Sequence, residues 1–538
     1  MSARALILGL DGATFDVIDA LGDRLPNLSR LIHDGACAPL NSTTPPMTLP
    51  SWSSILTGCE PGKHGIYDFT ARDGYSLAFT NSTHRRVPTM HRILTSRGRR
   101  VASIAVPTTY PPDPNAGVVV SGFDSPVATG ISRAHCSPPD LYDEIHARFG
   151  GMAFADFQEG NIGAGWHEMA LAALVREIGR KEAICQWLLD REAWDLFMVI
   201  FGESDTAAHH FWMFHDVNSP RFRAGMEDAL AAVYARLDAM VGVLASRAEV
   251  TAVVSDHGFG GAGDIALYLN RFLESEGWLE YKRPVSSGFS LGSIGDGLRR
   301  AATRLPVEHI VRRIPSALLG RVETATRYGD IDFSRTRAWS DEMNYAATLH
   351  LNLRGRELEG QEVDTAALIA LLLTWKVEGE CVVTRVDTAD ALYGPDRAPG
   401  GPDLVLTLAL RSGYSMTLLP SARVPAGTTW RRLRHDELVG GKGLGTNGSH
   451  RQHGVLILAG LGVRPGTRTA ANVADVLPTV FALLGEPIPG HVDGNVLVEA
   501  VGPIGRWTEA APAVGSVHPL GAAAERELER RLRGLGYL

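Results

Sequence analysis

The chain has 538 residues, 45% hydrophobic and 21% charged, with a formal net charge of −8. That composition is globular, with a length prior of about three domains or one large enzyme with insertions, and it can bury a large core. The acidic balance excludes a general binder of nucleic acid polymers, which needs a basic face. No stretch reaches the ~18 apolar residues of a membrane span. The five cysteines (Cys37, Cys59, Cys136, Cys185, Cys381) are sparse and lack metal-ligand spacing, so the expected location is the cytoplasm, with free thiols.

The first element is Ala5-Leu6-Ile7-Leu8-Gly9-Leu10, a buried strand that runs into Asp11-Gly12. It is too short for a signal peptide's apolar region and has no small-residue cleavage site behind it. Open α/β sheets place their chemistry at the carboxyl ends of strands, which makes Asp11 a candidate; the alternative is a cap for the next helix, Phe15 to Leu21. Two prolines discourage a helix before Thr48, and Ser51 reads as the N-cap of a helix that runs to Gly58. Thr48 is therefore expected in a loop that feeds a helix N-terminus. Free N–H groups at such an end suit an anionic phosphoryl group, and a hydroxyl with a lowered pKa there can act as a nucleophile. Lys63 and His64 follow in a turn-rich segment, where they can approach an anion or simply serve the turn.

Strands at Val101–Val106 and Gly117–Gly122, separated by helical stretches, indicate an α/β fold with a largely parallel sheet. A third strand, Trp194–Phe201, leads into Asp205 and His209, whose i, i+4 spacing puts both on one helical face. A carboxylate and an imidazole so placed can share a Zn²⁺ or similar ion. After an amphipathic stretch from Met226 to Leu244, the strand Val250–Val254 ends in Ser255-Asp256-His257-Gly258. Adjacent strand residues face opposite ways, so Asp256 and His257 reach one ion only if the chain turns, which Gly258 permits. The pattern then changes. Residues 261–400, with a basic helix at 298–305, a strand at 349–353 and a helix at 365–375, read as an insertion over the site. Pro402–Leu408 is expected to return to the sheet. The glycine-rich stretch 440–451 lacks the Walker pattern, because Gly443 and not Ser or Thr follows Lys442; it is expected to be a loop that delivers His450. A strand at 454–459, a helix at 473–484 and a charged tail helix complete the chain. Three acids and three histidines thus converge on strand ends around one hydroxyl, which matches a two-metal site with ions ~3.5–4 Å apart.

These pieces resemble the alkaline phosphatase superfamily, and within it the type I phosphodiesterase/nucleotide pyrophosphatase family. The resemblance rests on Gly9-Leu10-Asp11-Gly12, Thr48-Leu49-Pro50-Ser51 with Leu56-Thr57-Gly58, Pro61 to Ile66, Asp205 to His209, Ser255 to Phe259, and His450-Arg451. It implies an alkaline phosphatase-like core with a mostly parallel sheet flanked by helices. With the change of pattern after Gly260, that core is expected at residues 1–260 and 401–500, a cap at 261–400 and a tail helix at 501–538. It implies that Asp11, Thr48, Asp256 and His257 surround one metal and that Asp205, His209 and His450 hold the other. The metals implied are two divalent ions, usually Zn²⁺, with Mn²⁺ or Mg²⁺ as alternatives. His450, placed before Arg451 as the family's last histidine is, is the expected ligand in preference to His453 or His210. The activity implied is hydrolysis of a small phosphate ester, of phosphodiesterase/pyrophosphatase type, through a phospho-threonine on Thr48. The alternative is a phosphomonoesterase or phosphotransferase on the same site. Ser51, Lys63 and His64 are the candidate substrate contacts, and the tail helix is a candidate oligomer contact. The sulfatases of the superfamily do not fit, because Thr48 stands in place of their Cys or Ser and Trp52 in place of their Arg.

Overall fold

The apolar run at the start of the chain, Ala3–Leu10 (β1), lies near the middle of a ten-stranded sheet. In the computed structural model, which describes residues 2–122, 131–152, 162–282, 316–343, 346–438 and 446–502, the sheet also contains Ala36–Asn41 (β2), Val101–Val106 (β3), Val118–Ser121 (β4), Cys136–Ser137 (β5), Trp194–Phe201 (β6) and Ala248–Val254 (β7). Later in the chain, Gly258–Leu267 (β8) and Gly448–Arg451 (β9) lie outside it, and His453–Gly460 (β10) rejoins it. The order is β2-β10-β7-β1-β6-β3-β4-β5, with short strands at Thr467–Arg468 and Ala471–Asn472 paired to β2. β7, β1, β6, β3 and β4 are parallel, as the sequence indicates; β10 is antiparallel to both its neighbours, and β5 to β4.

Successive residues of a strand face opposite sides of the sheet, so β1 feeds two cores. Leu6, Leu8 and Leu10 pack with the helices Trp166–Arg191, Glu203–His215 and Ala229–Ala245. Ala5 and Ile7 pack with Thr48–Thr57 (α1) and Val476–Leu484. Burial on both faces explains why the central strands read as unbroken apolar runs. Gly9 is there for space: a Cβ on it would lie 2.2 Å from Ile200 Cδ1 and 2.6 Å from the Trp52 ring. Because Gly9 is in register with both Ile200 and Val254, the carboxyl ends of β1, β6 and β7 come to one edge. The residues that leave those ends carry the acids.

Besides the two-stranded pairs Thr70–Asp73 with Ser76–Phe79 and Lys376–Val377 with Glu380–Cys381, the described chain forms two smaller sheets. One is four-stranded and antiparallel, in the order Ala338–Trp339, Ala347–Leu351, Leu404–Leu408, Val383–Thr388. The other is five-stranded and built on β8, with Leu410–Arg411, Tyr414–Leu418, Trp430–Arg432 and β9. A third core, including Leu267, Phe272, Trp339, Leu349, Leu406 and Leu418, joins them. The expected return of Pro402–Leu408 to the central sheet is therefore corrected: Leu406 pairs with Ala347 and Val386. Periodicity identifies a strand, but it carries no information about which strand lies beside it. The helix expected at 365–375 is Thr365–Leu372, capped by Asp364, whose side chain accepts from Ala367 N at 3.0 Å. The basic segment 298–305 and the tail helix lie outside the described residues. Among the described residues no helix is long and apolar enough to cross a membrane.

Candidate active site

Thr48 is the first residue of α1 and not part of a loop before it; Met47 is the N-cap, and Ser51, expected at that position, lies inside the helix. Pro50 resolves the difference. The first N–H groups of a helix have no acceptor within it, so a proline in the first turn forfeits nothing and the helix can begin ahead of it. Ser51 serves the protein interior. Thr43 Oγ1 donates to Pro45 O at 2.9 Å and so accepts from Ser51 Oγ at 2.8 Å, which in turn accepts from Ser42 Oγ at 2.7 Å. The Ser51 proton is thus used within this row. His64 is buried between Ser54 Oγ (3.0 Å) and the Ile66 N–H (3.1 Å), and burial, with Arg85 adding, pushes its pKa down to about 3. Lys63 Nζ donates to His491 O at 2.8 Å and pairs with Asp493.

The other seven candidates come together. Asp11 follows β1 directly, and its Oδ2 accepts from Trp52 Nε1 at 2.9 Å. Gly12, at φ +66°, turns the chain so that its N–H reaches Asp256 Oδ1 at 3.3 Å, a conformation that favours glycine. Asp205 and His209 lie one turn apart on Glu203–His215 (α2), 3.3 Å from carboxylate to imidazole. Asp256 and His257 occupy the short link between β7 and β8, which frees both to point into the cluster. Gly258 is required by proximity and not by a turn: a Cβ there would lie 2.0 Å from His453 O. His450 lies on β9, paired with Phe259 of β8, and not on a loop as expected; residues 439–445 of the glycine-rich stretch are outside the described residues. His453 is exposed, and the His210 ring packs edge-on against Trp166 with centroids 5.0 Å apart.

All three cluster imidazoles hold a backbone carbonyl through Nδ1: His209 that of Gly448 (3.1 Å), His257 that of Gly258 (3.1 Å) and His450 that of Pro46 (3.0 Å). A carbonyl only accepts, so Nδ1 carries the proton in each ring and Nε2 presents a lone pair. The Nε2 atoms of His209 and His450 face each other at 3.2 Å. His257 Nε2 lies 3.4 Å from Thr48 Oγ1, 3.5 Å from Asp11 Oδ1 and 3.4 Å from Asp256 Oδ2. Asp11 Oδ1, Asp205 Oδ1 and Asp256 Oδ2 are buried without a hydrogen-bond partner. Lone pairs aimed at one another, with carbonyl-anchored imidazoles, form a donor set that fits divalent cations. Two triads have ligand atoms within 4.8 Å of one another, Asp11-Asp256-His257 and Asp205-His257-His450. His257 belongs to both, and His209 adjoins the second.

Burial pushes the Asp11 carboxyl up to about 8, with Asp205 adding. Burial, then Asp11 and Asp205, push Asp256 well above the carboxylate range. Burial lowers His257 and His450. It also opposes ionisation of Asp205, but His209 and His450 together outweigh it and hold that group well below the usual range. Left to itself the cluster keeps protons on Asp11 and Asp256 and off His257 and His450, and bound divalent cations would displace the two carboxyl protons.

Trp52 is a functional residue the sequence reading did not assign. Once α1 is known to begin at Thr48, the i, i+4 relation places Trp52 on the same face, toward Asp11. Trp52→Phe is expected to keep the ring in place, remove the donor to Asp11 and weaken metal affinity by about 10-fold or more. Calorimetric titration of the stripped protein measures this, and unchanged affinity would show that the indole N–H does not orient Asp11.

Residues 5–372 match the family described as type I phosphodiesterase/nucleotide pyrophosphatase, and the chain belongs to that family of phosphoric ester hydrolases. Among solved structures, phosphonoacetate hydrolase from Sinorhizobium meliloti 1021, in complex with phosphonoformate, is 15% identical with a TM-score of 0.52, over 90% of this chain and 96% of that one. The same enzyme with phosphonoacetate gives 15% and 0.50 over the same shares. Murine ectonucleotide pyrophosphatase/phosphodiesterase 5, an inactive form with AMP, is 11% identical with a TM-score of 0.48, over 93% and 99%. The fold is alkaline phosphatase-like. No curated protein matches.

Proposed function

We propose that the protein is a metal-dependent phosphodiesterase or pyrophosphatase that uses Thr48 as nucleophile. The observation that carries this reading is the cluster of three Nε2 lone pairs and three unpartnered carboxylate oxygens, of which His257 Nε2 lies 3.4 Å from Thr48 Oγ1. Asp11, Thr48, Asp256 and His257 would hold one ion and Asp205, His209 and His450 the other. Imidazole and carboxylate donors suit Zn²⁺, with Mn²⁺ or Mg²⁺ as alternatives. Two such ions supply positive charge to the attacking and leaving oxygens of an in-line displacement. Thr48 Oγ would lose its proton to solvent and form the new bond to phosphorus as the bond to the ester's alcohol or phosphate breaks and that group takes up a proton. Water would then hydrolyse the phospho-threonine, releasing the phosphate product and restoring the hydroxyl. The Thr48 and Leu49 N–H groups at the start of α1 would donate to the phosphoryl oxygens. The net charge of −8 favours a small substrate over a nucleic acid polymer, and the five free cysteines favour the cytoplasm. Residues 261–400 would form the cap, with three strands of the four-stranded sheet; Tyr393, in that segment, donates from its hydroxyl to Thr44 O at 2.6 Å, just ahead of Thr48.

The test is a panel of nitrophenyl phosphate, bis-nitrophenyl phosphate and phosphonoacetate, offered to stripped protein resupplied with Zn²⁺, Mn²⁺ or Mg²⁺. Turnover of the diester above the monoester is the expected result. A monoester preference would move the assignment to a phosphomonoesterase or phosphotransferase, and phosphonate cleavage alone would overturn ester hydrolysis.

A further inference from the structure

Arg221 is one of the largest fully buried side chains, 1% exposed, and it lies in the connection after α2. Its Nε donates to Gly263 O at 2.7 Å and its Nη1 to Thr446 O at 3.0 Å. Burial pushes its pKa down to about 10, with Asp264 opposing, so at neutral pH it remains a cation bound to main-chain carbonyls. The segment it grips, Thr446-Asn447-Gly448, touches His209 twice. Asn447 N donates to His209 O at 2.9 Å, and Gly448 O accepts from His209 Nδ1 at 3.1 Å. Gly448 O also accepts from Thr446 Oγ1 at 2.7 Å. Ala262 N donates to Asn447 O at 2.9 Å, which fixes the same segment to β8. Gly448 is needed for this approach, because a Cβ there would lie 2.4 Å from Ala208 O and 2.7 Å from the Phe259 ring. Two residues later the chain carries His450.

We propose that Arg221 and Thr446–Gly448 form a strut that sets the separation and aim of the His209 and His450 Nε2 atoms, and with them the affinity for one of the two ions. The proposal rests on the reading above that these two histidines and Asp205 hold an ion. Arg221 and Thr446 touch neither ion nor substrate; they are positioning residues, acting through the carbonyl that orients His209 and through the main chain that delivers His450. Carbonyl partners of metal-bound imidazoles fix ring orientation, and their loss costs about 10–100-fold in metal affinity. Arg221 can span two carbonyls because its guanidinium is a planar fork; a lysine at this position offers a single nitrogen.

The experiment titrates Zn²⁺ into stripped wild type, Thr446→Val, Arg221→Lys and Arg221→Met by calorimetry, with Co²⁺ absorption as a readout of ligand geometry and the Tm of each stripped protein as a control for folding. Wild type is expected to take two ions. Thr446→Val, which preserves shape, and Arg221→Lys should keep one site at wild-type affinity, lose about 10–100-fold at the other and change the Co²⁺ spectrum. Arg221→Met should lose more; if it does not fold, the other two variants decide. Both variants folded, with unchanged affinity for two ions and an unchanged spectrum, overturn the strut. A folded wild type that takes no ion overturns the metal reading itself, and with it the strut.

Discussion

Thr48→Ala should lower turnover by at least about 10³-fold while the metal content stays near that of the wild type. The hydroxyl is one weak donor beside six carboxylate or imidazole side chains, and it lies 3.4 Å from His257 Nε2. Its removal leaves the rest of the donor set and the Nδ1 anchors of the histidines in place. Thr48 opens α1, where alanine is tolerated, so the substitution separates chemistry from folding. Thr48→Ser should retain part of the activity, because the hydroxyl survives while loss of the methyl frees its rotamer. Quenching the wild type during turnover should leave a phosphoryl group on the peptide that contains Thr48, visible by mass spectrometry, and the Ala variant should leave none. An Ala variant that hydrolyses every ester at the wild-type rate would make water the nucleophile.

The acids were legible in the sequence because each is announced locally. Asp11 and Asp256 follow long apolar runs, and Asp205 and His209 carry helical spacing into a strand-to-helix junction. Such runs bury themselves on both sheet faces, and their ends must then gather at one edge once the strands are parallel. What the sequence concealed is what depends on distant partners. His450 lies in a glycine-rich stretch that reads as a loop, and it becomes a strand only through pairing with β8. Leu404–Leu408 reads as an apolar strand, and only the assembled chain shows it beside Ala347–Leu351. Ser51 carries both the chemistry of an N-cap and that of a phosphate donor; Ser42 and Thr43 claim its hydroxyl for the interior instead. Lys63 is drawn to His491 and Asp493, more than four hundred residues on, and nothing near it in sequence foretells this. The position of His257 between the two triads is likewise a fact of geometry and not of spacing.

Removing the metals with a chelator should abolish turnover until a divalent ion is returned, and the accompanying fall in Tm should be larger at pH 8 than at pH 5. The sign follows from the cluster's acids. In the stripped protein Asp11 is held up to about 8 by burial, with Asp205 adding, and Asp256 is raised for the same reason with Asp11 adding. An unfolded aspartate titrates near ~3.9. Between about pH 4 and pH 8 these two acids in the stripped native state therefore hold protons that the unfolded chain has released, and their contribution to stability falls as pH rises. The lowered His257 and His450 slope the other way, but imidazoles that are unprotonated with or without ions drop out of the difference between loaded and stripped protein. Asp205 works in the other direction, because its depressed pKa gives stability that is lost only as pH falls through that low value; it contributes equally at pH 5 and pH 8. Divalent ions held at the proposed site would replace the protons on Asp11 and Asp256, remove the penalty and be taken up with proton release, so that their affinity would rise with pH. Thermal scans of loaded and stripped protein at the two pH values, with a titration in weak buffer to count the protons, measure both consequences. An equal Tm loss at both pH values, with no proton released, would place the ions away from Asp11 and Asp256.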